Sequence, residues 1–336
     1  MVPTPIREVD PQELREIAAN AVGQMEPAVA RGVATDLPVV EASRHSDAQL
    51  LNYLSGYAQP VEQFALHAPE HVKGKFGYGA NLNSFNFARI KTTFQSFVSA
   101  LAEGKFPPGA IAVQGVRAKE AVPGFDRENF LPFAPAGGEY RLWLGTQAEV
   151  AIHSDPAPNI AYVACGRRRF TLFAPEEIGN LYLGPFDPAP NGTQISLADP
   201  LAPDEQRFPR FGEALARSQF AELGPGDAIF IPTGWYHHVQ AFSPINLLVN
   251  YWWQEEVAGP SPWDALMHGF MALRPLSPAD RRMWRAMFAH YIFEENGEPG
   301  GHMPPESRGI MGKATPGMIE AMRRKIVQSL STPPRR

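Results

Sequence analysis

Between Tyr140 and Trp253 the apolar and aromatic residues fall into eight runs, each four to eight residues long and bounded by Gly, Pro, Asp or Asn. Runs of that length are short for helices and of ordinary length for strands. They are Tyr140–Gly145, Ala148–His153, Asn159–Ala164, Arg168–Phe173, Phe220–Leu223, Ala228–Ile231, Tyr236–Phe242 and Asn246–Trp253. Eight short strands within about 115 residues predict a mainly β fold built as a double-sheet jelly roll. Glycine (29) and proline (34) together make nearly one residue in five, which favours strands and loops over a helical bundle. The stretch from Pro175 to Gln219 is rich in Pro, Gly and Asp. It interrupts the strand spacing and reads as an inserted excursion with no single assignable structure.

Helices flank this core. Asp10-Pro11, Ser261-Pro262, Ser277-Pro278 and Thr315-Pro316 each place a capping side chain before a proline at the first helical position. The cap accepts an orphan backbone N–H, and proline lacks the one that would go unsatisfied. Helices are expected at about 11–22, 262–273, 278–293 and 316–330. Thr92–Ala102 also has helical apolar spacing, through Phe94, Phe97, Val98 and Leu101. The expected organisation is an N-terminal mixed α/β region over 1–137, a β core over 138–255, and a helical C-terminal region over 256–336.

Of the 336 residues, 30 are Lys or Arg and 35 are Asp or Glu, a net charge of −5 that supplies no basic field for nucleic acid or an anionic membrane. The single cysteine, Cys165, excludes an internal disulfide and a zinc site of several thiolates. No apolar run approaches the roughly 18 residues of a membrane span. The first ten residues lack the apolar centre of a signal peptide. A soluble, cytoplasmic protein is the expectation.

Two segments carry chemistry. In His153-Ser154-Asp155, residues two apart on a strand share a face, so an imidazole and a carboxylate stand side by side and can chelate a divalent metal. A further histidine would complete one face of an octahedron and leave three positions open, the facial-triad arrangement of non-haem Fe(II) oxygenases. The other segment is Trp235-Tyr236-His237-His238-Val239, whose first histidine lies 84 positions after His153. Taken alone, the first also reads as surface polar residues and the second as a partly buried aromatic ridge.

Together they resemble a family. His153-Ser154-Asp155, Asn159-Ile160-Ala161, Gly166 to Pro175, Asn180-Leu181-Tyr182, Pro225-Gly226-Asp227, Ile231-Pro232, Trp235 to Val239 and Val249 to Trp253 follow in order the pattern of the JmjC-type cupins. The set is most similar to the asparaginyl-hydroxylase branch that includes the factor inhibiting hypoxia-inducible factor, and to its bacterial relatives. The resemblance covers about 140–255, with Phe76-Gly77-Tyr78 and Phe85-Asn86-Phe87 as weaker extensions. It implies a double-stranded β-helix holding Fe(II), with 2-oxoglutarate as cosubstrate and O2 as oxidant. By position, His153, Asp155 and His237 become the catalytic metal ligands, and His238 falls on the opposite strand face. Asn159 and Asn250 match positions close to the cosubstrate. Arg168 stands where the family usually has the lysine that anchors the far carboxylate. Parity points it away from the face of Arg167 and Arg169.

This sequence departs from the family at that anchor. Val150 replaces a hydroxyl residue, and Ala112 aligns weakly with a tyrosine. Two alternatives therefore stand beside the oxygenase: a metal-dependent isomerase or lyase that does not use 2-oxoglutarate, and a non-catalytic binding module. The substrate, protein or small molecule, is not legible. Apolar residues on the C-terminal helices, with the habit of the resembled branch, imply a homodimer through those helices.

Overall fold

In the computed structural model the described residues are 3–20, 25–131, 134, 139–252 and 261–331. The chain divides into two compact units, residues 1–254 and 255–336. In the first unit the described strands are β1 Thr4–Pro5, β2 Ala28–Ala30, β3 Glu62–Pro69, β4 Lys75–Phe76, β5 Ala88–Thr93 and β6 Gly109–Arg117. After these come β7 Glu139–Gly145, β8 Ala148–Ser154, β9 Asn159–Cys165, β10 Arg168–Phe173, β11 Gln219–Leu223, β12 Ala228–Ile231, β13 Tyr236–Ala241 and β14 Asn246–Trp252. The last eight are the eight apolar runs. Trp253, expected to end the final strand, lies outside the described residues.

The eight core strands make two four-stranded layers, β11-β10-β13-β8 and β12-β9-β14-β7. Except for β10 and β11, which pair with each other, successive core strands alternate between the layers, as a double-stranded β-helix requires. Residues before the core extend both sheets. β1 and β4 flank the first, and β2, β6, β3 and β5 enlarge the second, giving six and eight strands. Gly166, in the two-residue corner where the chain leaves β9 for β10, has φ +79°, and a Cβ there would sit 2.3 Å from the Asn246 side chain. Only glycine turns that corner without strain.

Strand β9 is apolar on both sides because both its sides are covered. Every residue of β9 is buried. Ile160, Tyr162 and Ala164 face the helices, while Ala161 and Val163 face the space between the sheets. The helices on that outer face are α1 Pro11–Ala19, α2 Pro38–His45, α3 Asp47–Ser55 and α4 Phe94–Ala102, followed by the single turns α5 Ala118–Ala121 and α6 Asp126–Asn129. Leu14, Val39, Leu50, Leu54, Phe94 and Phe97 are their fully or nearly fully buried contributions. The excursion after Pro175 covers the other sheet. It contains 3-10 turns and helix α7 Phe211–Arg217, and it buries Leu181, Phe208 and Phe211 against Ile152, Phe173 and Tyr236.

Some boundaries differ from the sequence expectation for local reasons. The helix expected from Thr92 begins at Phe94, since Thr92 still pairs in β5 and the Thr93 hydroxyl caps the Ser96 N–H at 3.1 Å. The first helix ends at Ala19; positions 21 and 22 lie outside the described residues. In the second unit α8 Pro262–Ala272, α9 Pro278–Tyr291 and α10 Pro316–Ser331 begin at the expected prolines. Ser261, Ser277 and Thr315 accept N–H bonds at 3.2–3.3 Å. No helix among the described residues is long and apolar enough to cross a membrane.

One buried polar residue ties the helices to the sheet. Asn129 accepts the Val39 N–H at 2.8 Å and donates to the Tyr53 hydroxyl at 2.7 Å and to the Phe125 carbonyl at 3.0 Å. Its own carbonyl accepts the Tyr162 hydroxyl at 3.0 Å. Asn129→Ala orphans the buried Val39 N–H, a loss of about 1–3 kcal/mol. Urea denaturation should show a lower midpoint at an unchanged slope.

Candidate metal centre

Antiparallel pairing of β13 with β8 sets His237 directly opposite His153. The register also contains a bulge: Val150 opposes Val239, so β8 spends three steps where β13 spends two. This extra residue reverses parity along β8. Val150 and His153 both face inward, while Glu149 and Ile152 face outward. Bulges re-aim side chains in this way. The excursion bonds the bulge and the residue beyond His153, with the Ser196 N–H on the Ile152 carbonyl at 2.8 Å and the Thr193 hydroxyl on the Ser154 carbonyl at 3.1 Å.

The two imidazole rings lie 4.2 Å apart between centroids, and His237 Nε2 is 3.8 Å from Asp155 Oδ2. One donor atom from each of His153, Asp155 and His237 falls within 4.8 Å of the others. The backbone fixes which nitrogen is free. His153 Nδ1 bonds the Ala151 carbonyl at 2.8 Å, and His237 Nδ1 bonds the Trp235 carbonyl at 3.3 Å. Nδ1 therefore carries the proton and Nε2 keeps its lone pair for a cation, the usual outer support of a metal-binding histidine. Burial, with the neighbouring His153 ring adding to it, holds the His237 pKa well below its ordinary value. The ring is thus neutral at pH 7 and able to ligate. The donor set, two imidazoles and a carboxylate, suits Fe(II).

His238 is turned away. Its Nε2 meets Glu149 Oε1 at 3.0 Å, and Glu149 lies 3.7 Å from Lys75 Nζ, which also pairs with Asp199. It is buried rather than on the surface, and Glu149, its partner, carried no signal in the sequence because the two are 89 positions apart. Asn159 donates to Asp155 Oδ2 at 3.0 Å, and Asn250 donates to Asn159 Oδ1 at 3.3 Å. Arg168 is buried with Phe170 and Leu172 on the inner face of β10, whereas Arg167 and Arg169 pair with Glu222 outside. Its Nη2 donates to the Trp143 carbonyl at 3.2 Å, and its Nε has no partner among the described residues. A buried guanidinium with an unused Nε–H fits a carboxylate ligand such as that of 2-oxoglutarate. The structure gives no hydroxyl at Val150, and it places Ala112 in a separate cluster with Leu66 and Phe76.

A family model described as a cupin-like domain matches residues 14–259. The chain belongs to the cupin-like domain family. This cupin-like chain is 34% identical over 123 residues to lysine-specific demethylase JMJ31 of Arabidopsis thaliana, covering 36% of this chain and 22% of that protein. It is 33% identical over 118 residues to an HSPB1-associated protein 1 homolog of Danio rerio, covering 34% and 26%. It is also 33% identical over 114 residues to lysine-specific demethylase 8 of Xenopus tropicalis, covering 33% and 24%. The cupin-like chain thus spans about a quarter of the length of these relatives.

His153→Ala, Asp155→Ala and His237→Ala should each weaken Fe(II) or Mn(II) binding roughly 100-fold or more, beyond the usual loss for a supporting residue. His238→Ala should keep most of it. Calorimetric titration of apoprotein checks this. Loss at His238 with retention at His237 would reverse the assignment within the pair.

Proposed function

We propose that this protein is an Fe(II)- and 2-oxoglutarate-dependent oxygenase, acting as a hydroxylase on a protein side chain or a small molecule. The observation that carries the reading is the buried Arg168, which has no acidic partner among the described residues, inside the same barrel as the His153–Asp155–His237 cluster. Burial pulls its pKa only to about 10, so it stays charged at neutral pH. A buried charge without a counter-ion costs several kcal/mol by order of magnitude. A dicarboxylate reaching from the metal to Arg168 would supply that counter-ion.

His153, Asp155 and His237 would hold the iron on one face and leave the rest of its coordination sphere open. Bound there, the iron supplies the redox chemistry that couples O2 and 2-oxoglutarate decarboxylation to hydroxylation of a carbon. Arg168 would bind the far carboxylate bidentately, and the Asn159 and Asn250 amides would orient the near end. Leu172, Val239 and Leu248 keep the barrel interior apolar, which strengthens each polar contact within it. Relatives named as lysine-specific demethylases support the oxygenase class for this chain, not a choice of substrate.

Anaerobic titration of the Fe(II) protein with 2-oxoglutarate should produce the weak visible charge-transfer band of the chelate. Arg168→Ala should raise the apparent 2-oxoglutarate constant about 30-fold or more, the loss of a charge-assisted contact in a pocket, without changing metal content. Arg167→Ala should do little. Metal binding without a band would favour the isomerase or lyase reading, which Val150 and the separate placement of Ala112 support.

We also propose that α8–α10 pair with a second copy of the chain. No residue in these helices is buried, and Trp263, Leu266, Met283, Trp284 and Phe288 stay exposed. Apolar surface on that scale needs a cover. Light scattering should find a dimer at micromolar concentration, and a chain ending at Ser307 should lose it. A monomeric full-length protein, or a truncated chain that stays dimeric, would place no interface there.

A further inference from the structure

Four side chains from three adjacent strands and one connecting segment form a single file of hydrogen bonds. Trp143 Nε1 on β7 donates to Asn250 Oδ1 on β14 at 2.7 Å. Asn250 Nδ2 donates to Asn159 Oδ1 on β9 at 3.3 Å. Asn159 Nδ2 donates to Asp155 Oδ2 at 3.0 Å. The strands lie side by side in the order β9-β14-β7, and the last link crosses to the segment that joins β8 to β9.

The ends of this file have opposite and fixed character. An indole N–H can only donate, and a carboxylate only accepts. An amide between them can be turned either way, and which way is decided by its neighbours. With the indole at one end, Asn250 must present its oxygen to Trp143 and its nitrogen to Asn159. Asn159 must then present its nitrogen to Asp155. Asp155 sets the same order from its own end, so without the indole the order is held from one end only, and the Asn250 oxygen is left without its donor.

We infer that Trp143 is a positioning residue for the metal centre: its N–H anchors the far end of the file, holding the two asparagine amides in place and through them the Asp155 carboxylate. The Trp143 indole bonds Asn250 and not one of the three metal donors, and its contact with the Trp252 ring, edge-on at 6.1 Å between centroids, is ordinary packing. The inference rests on the reading of His153, Asp155 and His237 as metal ligands, and is independent of 2-oxoglutarate.

The test is Mn(II) binding to apoprotein, read from the free-ion signal in electron paramagnetic resonance, with no cosubstrate present. Trp143→Phe keeps an aromatic ring and removes the donor. It should raise the Mn(II) dissociation constant about tenfold, as loss of outer support of a ligand does. Asn159→Ala should lose at least as much, and the double variant should bind no more weakly than Asn159→Ala alone, since both act through one bond. Asn250→Leu, which cuts the middle link, should match Trp143→Phe and decides the matter if the latter does not fold. Variants at 143 and 250 with the wild-type constant would overturn the relay alone, leaving the metal and cosubstrate readings in place. Losses at 143 and 159 that multiply would also overturn it, showing packing instead of relay. A wild type that binds no Mn(II) would remove the metal reading and the relay together.

Discussion

The antiparallel pairing of β13 with β8 is the contact on which the rest of the site depends. It brings two imidazoles 84 positions apart to a ring separation of 4.2 Å, and its bulge turns His153 inward. Without the extra residue, strict alternation would put His153 on the face opposite Val150, beneath the excursion and away from the barrel. The bulge carbonyl at Ala151 then holds the His153 ring by its Nδ1. One irregularity of the ladder thus sets both the direction and the tautomer of a ligand. The Ser196 N–H on the Ile152 carbonyl ties the otherwise irregular excursion to the bulge, where β8 has a residue without a register partner in β13.

Around that contact the barrel interior is divided between polar and apolar surfaces. Phe170, Leu172, Val239 and Leu248 fill one part of the space between the sheets, and the chain of Trp143, Asn250, Asn159 and Asp155 lines another. Buried amides are costly unless bonded, and here each is bonded in one direction only. The low polarity that raises the cost of an unpaired group also strengthens each bond made. Arg168 differs, a buried guanidinium whose Nε, like that of Arg141, has no partner among the described residues. Asn129, 1% exposed, is the contrast, with every bonding group of its side chain used.

The sequence alone determined the local elements. Apolar runs bounded by turn residues became β7–β14 to within a residue or two, and the cap-and-proline pairs at Asp10, Ser261, Ser277 and Thr315 opened α1, α8, α9 and α10. Those features depend on neighbours in the chain, so the chain displays them. Strand parity likewise separated Arg168 from Arg167 and Arg169, and His237 from His238, because alternation is a property of one strand. Only the tertiary structure decided what depends on pairing. The bulge in β8 exists relative to β13 and has no sequence mark. The short N-terminal strands β1, β2 and β4 are recognisable only by the sheet edges they join. Glu149 under His238, and the indole that orders two asparagines, join residues about 90 to 107 positions apart. Periodicity reports which face a residue occupies, whereas register, set by contacts across the whole core, decides what that face meets.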